Sequence, residues 1–354
     1  MILLTGATGV IGSALLRRLL DGGQEVRCLV RDPRRLGPNR VRVQITLGGL
    51  ADPVALRQAV RGVTNVVHLA AGIRDQPGAS IEELNAMATV RLLRDAERAG
   101  VERFVFFSAM GAKPISRTRF FRAKALAERA VLAARIQGLV FAPSLVYAPG
   151  DPWLTLLGRL AHLPWMPISG SGRTRFQPIW AEDVAACVEG ALGPSAVRDG
   201  RRFEIAGPEA LTYEDIVRLA LEAEGHRRPL VHVPLGLVRL GLGVLERLAG
   251  SSAFATWEEA ELMEEAMITE QGARDVLRLG VHEGPYLVTL HPLRSHVADG
   301  PVVEVHARRA EIREQLFNRH PGNARHAGSR AKTAPFHQRR DYLNPLLVAQ
   351  LVHI

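Results

Sequence analysis

Near its start the chain reads Thr5-Gly6-Ala7-Thr8-Gly9-Val10-Ile11-Gly12, between a short β-rich run, Met1–Thr5, and a helical pattern from about Val10 to Leu20. Three glycines in that setting leave few folds open. Gly6 permits a tight turn, Gly9 lets backbone approach a ligand closely, and Gly12 lets helix and strand pack together. The helix beginning there offers unpaired N–H groups and a positive dipole end, which suit a pyrophosphate. Alone, the triplet would be weak evidence, and a glycine-rich turn without a ligand is the alternative.

The sequence that follows supplies the rest of such a fold. Strand-like runs at Glu25–Val30, Val41–Ile45, Asn65–Ala70, Glu102–Ser108 and Leu139–Pro143 alternate with helical patterns at Val54–Val60, Ile81–Arg98 and Ala123–Arg135. Strands alternating with helices predict βαβ units, hence an α/β, doubly wound parallel sheet with both faces covered. After Tyr147 the texture turns to Pro, Gly and Trp. The expected division is a dinucleotide-binding domain at 1–150, a smaller substrate or partner lobe at 151–300, and a poorly structured basic tail at 301–354. Within the lobe, 177–208 is expected to return to the sheet through the helix Glu182–Leu192 and the strand Arg202–Ile205.

Charge bears on what the chain can bind. Of the formal +9, the tail holds +5, from eight Arg and one Lys against four acids. The other 300 residues therefore carry only +4, without a basic stripe. No specific nucleic-acid partner is expected. Two cysteines, Cys28 and Cys187, exclude a disulfide scaffold or a cysteine-rich zinc site, and the His spacing matches no metal motif. A soluble protein of the reducing cytoplasm is expected, with no signal peptide and no transmembrane segment, since Pro229–Leu248 is too interrupted to span. Leu235–Leu248 reads as an amphipathic helix. Packing into the core is the favoured expectation for its apolar face; contact with a lipid-like substrate or a peripheral membrane surface is the alternative.

At the end of the second strand an acid normally holds the adenine ribose. Here Arg31 comes first, then Asp32, with Arg34 and Arg35 behind. A guanidinium suits a 2′-phosphate, so NADP(H) is favoured over NAD(H); a solvated Arg31 with Asp32 on the ribose is the alternative.

Several ordered motifs accompany these: TGATGVIG at 5–12, VVHLAA at 66–71, Asn85, FVFFSA at 104–109, Lys124, APSLVYAPGD at 142–151 and QPIWAEDVA at 177–185. Together they resemble the short-chain dehydrogenase/reductase superfamily over roughly residues 1–290. The details are most similar to its atypical branch, which includes complex I accessory subunits and quinone-pathway proteins. The resemblance implies a Rossmann fold and an NAD(P) cofactor held by Thr5, Gly6, Thr8, Gly9, Val10, Ile11 and Gly12. It further implies that Ala70 and Ala71 line the groove, that Asn85 supports the central active region, and that Pro143 and Ser144 lie by the nicotinamide. Leu50 and Asp52 fall where such proteins contact adenine.

The superfamily's catalytic signature is Tyr-x-x-x-Lys with an upstream Ser. The four-residue spacing puts Tyr and Lys on one helix face, where the ammonium lowers the phenol pKa. Here Phe120 stands four residues before Lys124, and no Tyr precedes Tyr147. Ser108 ends its strand, but the family's hydroxyl falls one or two positions later, at Ala109 or Met110. Lys124 is one of only three Lys among 45 Lys and Arg. Lys124 and Ser108 are therefore the candidate catalytic residues; Lys124 is equally a candidate contact to the cofactor ribose, with an ordinary surface-helix lysine as the alternative. The expected function is an NADP(H)-dependent oxidoreductase acting on a small apolar substrate without the usual Tyr. A non-catalytic dinucleotide-binding sensor, scaffold or accessory subunit with a protein partner is the alternative, and a sugar-nucleotide epimerase or dehydratase is third.

Overall fold

A computed structural model describes residues 1–193, 201–249 and 256–271, together with Asp275, Leu279, Leu293 and Arg294. The tail at 301–354 lies outside the described residues. Seven parallel strands form the central sheet in the order β11-β6-β5-β4-β1-β2-β3. They are β1 (Ile2–Thr5), β2 (Val26–Val30), β3 (Gln44–Leu47), β4 (Asn65–His68), β5 (Arg103–Phe107), β6 (Gln137–Pro143) and β11 (Arg202–Ile205). The order reverses between β1 and β4, the crevice where ligands bind in open α/β sheets.

Alternation along the strands decides which helices cover which face. Leu4, Cys28, Val67, Val105 and Phe141 point to one side and pack with α1 (Val10–Asp21) and α6 (Ala181–Leu192). Leu3, Leu29, Val66, Phe104 and Val140 point to the other, against α2 (Pro53–Ala59), α3 (Ala88–Arg98) and α4 (Arg119–Leu132). Both faces are thus buried, which is why these strands read as continuous apolar runs.

Three local expectations shift. The third strand begins at Gln44 because Pro33–Arg42 winds into 3-10 turns, started by Pro33 and capped by the Asp32 carboxylate on Arg34 N–H; Val41 is 85 % exposed. α4 starts at Arg119, ahead of Ala123, because the Thr118 hydroxyl accepts from Phe121 N–H and caps it. The helix over 81–98 contains one π-helical turn, Glu83–Met87.

The lobe is built from β7 (Val146–Tyr147), α5 (Pro152–Leu160), β8 (Met166–Ser169), β9 (Arg175–Phe176) and β10 (Ile179–Trp180), then β12 (Leu211–Thr212), α7 (Tyr213–Ala223), β13 (Leu230–Val233), α8 (Leu235–Ala249) and α9 (Trp257–Leu262). Its strands pair only two by two. Its apolar interior gathers Met110, Phe121, Tyr147, Phe176, Ile216 and Met267.

Candidate functional site

The glycine turn is fixed by space rather than by side-chain bonds. A Cβ on Gly12 would stand 2.0 Å from the Gly6 carbonyl oxygen, and one on Gly6, at φ +78°, would stand 2.7 Å from the Ala70 nitrogen. The helix α1 begins at Gly9 with no side-chain cap, so its first N–H groups are left for a ligand. Beside it opens a cleft of about 390 Å³ lined by Thr8, Gly9, Val10 and Ser13 on one side and by Ala148–Gly150 and Trp180–Glu182 on the other. That is the size of a small-ligand site. The residues present fit a dinucleotide pyrophosphate.

Behind the turn runs a buried hydrogen-bond chain. Ala70 N–H donates to Thr5 Oγ1 at 3.3 Å, and Thr5 Oγ1 lies 2.7 Å from His68 Nδ1. His68 Nε2 lies 3.0 Å from Thr89 Oγ1, whose hydroxyl donates to the Asn85 carbonyl at 2.7 Å. Because Thr89 spends its proton on Asn85, its oxygen accepts from His68 Nε2–H. His68 Nδ1 must then accept from the Thr5 hydroxyl, which fixes the neutral tautomer. The Asn85 amide extends the chain, donating to the carbonyls of Gly72 at 2.6 Å and Ile81 at 2.8 Å and accepting from Gly72 N–H at 3.3 Å. Thr5, Ala70 and Asn85 are thereby brought together, with Asn85 fastening the loop after β4 rather than presenting its amide to the groove.

His68 has no exposure worth the name, and burial, with the Lys124 charge added, drives its pKa down to about 3. Neither His68 nor Thr89 stands out in sequence; the one available signal is a lone polar residue inside the apolar run Val66-Val67-His68-Leu69.

Lys124 is fully buried on α4. Its Nζ donates to the Phe107 carbonyl at 2.6 Å and lies 4.8 Å from the Phe106 ring centroid and 5.6 Å from that of Phe120. Burial lowers its pKa to about 7, against the opposing pull of the Glu128 carboxylate. Burial thus favours the neutral amine far more than in water, which suits a group that exchanges a proton. The next residue after Phe107 is Ser108, whose buried Oγ has no hydrogen-bond partner among the described residues.

Other candidates are placed differently. Arg31 is exposed and donates to Gln76 Oε1 at 2.8 Å. Asp52 caps α2, its carboxylate accepting from Val54 and Ala55 N–H. The Pro143 carbonyl accepts from Met110 N–H, and Ser144 Oγ donates to the Met267 carbonyl at 2.7 Å while accepting from Gln177 N–H. Ser144 thus ties the strand end to the lobe. Ala71 is exposed and Ile11 half-buried at the helix start. The mouth of the loop after β4 is held by ion pairs absent from the sequence expectations. Arg74 pairs with Glu259 of α9 at 2.6 Å, and Arg119 pairs with Asp75 at 2.9 Å and Glu82 at 2.7 Å.

Comparison with known proteins agrees with this geometry. A family model described as NAD(P)H-binding matches residues 6–138. The chain is 30 % identical over 241 residues to a ceramide reductase of Caulobacter vibrioides, covering 66 % of this chain and 74 % of that one. It is 27 % identical over 226 residues to the mitochondrial NADH dehydrogenase [ubiquinone] 1 alpha subcomplex subunit 9 of Arabidopsis thaliana, covering 60 % of this chain and 55 % of the subunit. A short-chain dehydrogenase/reductase superfamily protein from Agrobacterium tumefaciens, solved with bound NAD, superposes with a TM-score of 0.59 at 20 % identity, covering 90 % and 99 %. That last likeness concerns the fold.

Proposed function

The chain belongs to the atypical short-chain dehydrogenase/reductase family of NAD(P)H-binding Rossmann proteins, and from that premise we propose that it is an NADP(H)-dependent oxidoreductase of a small apolar substrate. Lys124 carries this reading: a buried amine held near pKa 7, on the helix position where the family keeps its lysine. Bound cofactor supplies or accepts the hydride at its nicotinamide. Lys124 Nζ moves the matching proton in place of the missing phenol, and the Ser108 hydroxyl, which no described residue engages, steadies the reacting oxygen. The Phe106 and Phe120 rings beside the amine exclude water. The name of the ceramide reductase relative supports an apolar, lipid-like substrate class.

The preference for NADP(H) rests on Arg31 being exposed at the end of β2 while the Asp32 carboxylate is engaged as a cap. We assign cofactor to 1–150 with 177–208 completing the sheet, substrate to 151–300, and a cytoplasmic setting to a chain whose Cys28 and Cys187 are both buried free thiols. The test is NADPH and NADH titration followed by cofactor consumption on a panel of apolar ketones and enones. Lys124→Met should cut turnover at least ~100-fold with NADPH affinity preserved; unchanged turnover would remove Lys124 from the chemistry. Arg31→Ala should weaken NADPH about tenfold and leave NADH alone; equal losses would sink the 2′-phosphate assignment. One observation favours a second reading, a dinucleotide-binding scaffold: Phe120 has no proton to give where the family's Tyr would stand. Tight binding with no turnover on the panel would favour it.

A further inference from the structure

Arg31 follows the last residue of β2, and its exposed side chain lies along the strand ends. The atoms nearest to where a Cβ on Gly49 would stand are Arg31 Cδ and Cγ, at 3.4 and 3.5 Å, so its stem rests on the loop after β3. Its tip reaches the other way: Nη1 donates to Gln76 Oε1 at 2.8 Å, in the loop after β4. In the sheet β1 separates β2 from β4, which puts those two strands about 10 Å apart. The Arg31–Gln76 bond therefore spans the end of β1, where the glycine turn begins.

Gln76 stands on a fixed piece of backbone. Gln76-Pro77-Gly78-Ala79 is a tight turn closed by two bonds, Gln76 N–H to the Ala79 carbonyl at 2.9 Å and Ala79 N–H to the Gln76 carbonyl at 3.0 Å. Pro77 presets its first bend, and Gly78, at φ +83°, supplies the left-handed one. Next to it the Asp75 carboxylate accepts from Ile81 N–H at 2.8 Å and pairs with Arg119 at 2.9 Å. Gln76 itself is half-buried, so holding its amide in one direction costs little further freedom.

The chemistry of the pair matters as much as its place. No carboxylate pairs with Arg31 among the described residues, and the adjacent Asp32 carboxylate is turned to Arg34 N–H. A neutral amide takes one guanidinium N–H and leaves the positive charge and the remaining donors for an anion. A carboxylate in its place would steady the side chain equally well but cancel the charge.

We propose that Gln76 is a positioning residue for the adenine-ribose end of the cofactor: it holds the Arg31 guanidinium in place while leaving its charge for a 2′-phosphate. The role rests on the NADP(H) reading of Arg31, to which it adds a turn 45 residues away in the chain.

Calorimetric titration of the full-length protein with NADPH and with NADH tests this. Gln76→Ala should weaken NADPH by about three- to tenfold and leave NADH unchanged, with an unaltered denaturation midpoint showing that the turn is intact. Gln76→Glu, which sets a carboxylate against the guanidinium, should weaken NADPH by more than about tenfold and NADH far less. Because Gln76 acts through Arg31, the double variant Arg31→Ala/Gln76→Ala should bind NADPH no more weakly than Arg31→Ala alone. The proposal is overturned if Gln76→Ala weakens both cofactors equally, which would make Gln76 general support for the loop. It is overturned as well if its loss persists undiminished in the Arg31→Ala background. Should Arg31→Ala spare NADH while both Gln76 variants bind as wild type does, the role of Gln76 alone falls. Should Arg31→Ala weaken both cofactors equally, the 2′-phosphate reading falls and this role with it.

Discussion

Two regions at the same edge of one sheet are made of opposite materials. The turn from β1 to α1 is backbone: glycines placed where any Cβ would collide, and a helix start without a side-chain cap. A few residues away the ends of β4 and β5 enclose titratable side chains, His68 and Lys124, each pushed by burial toward its neutral form. A backbone site is specified by its own short stretch of chain. A buried polar interior is specified by partners far apart in sequence, since Thr5 and His68 are separated by 63 residues and Lys124 reaches back 17 to Phe107. The first is rigid because nothing else fits; the second holds together only because hydrogen bonds such as His68 to Thr5 and Thr89 offset the cost of burying polar groups.

The sharpest way to break the first region is Gly12→Ala. Its Cβ would stand 2.0 Å from a backbone oxygen that cannot swing away. A loss above ~3 kcal/mol and failure to bind NAD(P)H are expected by denaturant titration and calorimetry. Near-wild-type behaviour would mean the turn has slack that the geometry denies.

The second region should announce itself through pH. The folded pKa of Lys124 lies near 7, below its ordinary 10.5, so the unfolded chain binds more protons between those values. Stability should therefore rise with pH from about 7 to 10.5, by an amount on the order of 4 kcal/mol. Lys124→Met should remove that rise, and denaturant midpoints across the window measure it. The sign is the same for His68, whose folded pKa of about 3 lies below 6.5. Its contribution is present above 6.5 and is lost as pH falls toward 3, so wild type should begin to weaken at a pH above the carboxylate range. His68→Asn should flatten the part of that limb between pH 6.5 and 5; an unchanged limb would mean the imidazole is not held neutral by the fold.

Thr89→Val sharpens the comparison further. It leaves His68 Nε2 without its acceptor and the Asn85 carbonyl without its donor, at a cost of about 2 kcal/mol, readable as a lower denaturation midpoint. The smallest effect belongs to the rim. Arg119 holds the Glu82 carboxyl down to about 2 through a side-chain hydrogen bond, but both groups are largely in water. Arg119→Ala should cost ~1 kcal/mol or less, with the loss shrinking in high salt.

Much of this was legible in the chain. The sheet class and the glycine turn follow from local pattern: apolar runs and a glycine triplet at a strand end; a lysine in a protein that otherwise uses arginine singles out Lys124, whose burial against the Phe107 carbonyl only the structure reveals. Asp52 was placed by resemblance where such proteins contact adenine, and its role as the α2 cap appears only when the amides of Val54 and Ala55 are seen to donate to it. Ser144 was placed by resemblance near the cofactor, and what only the structure reveals is that its hydroxyl donates to the Met267 carbonyl.

Sequence by itself determined what depends on neighbours along the chain: strand and helix periodicity, the close approach that only glycine allows, and the absence of a phenol before Lys124. Tertiary structure alone decided which buried polar atoms meet. His68 becomes a relay between Thr5 and Thr89, and Ser108 is left without a described partner. The helix α8 keeps Leu237, Leu240, Val244 and Leu248 in water, so the expectation that it packs its apolar residues on the core holds for one face only. The physical reason is that desolvation and hydrogen-bond satisfaction depend on everything surrounding an atom, and most of that surrounding comes from distant parts of the chain.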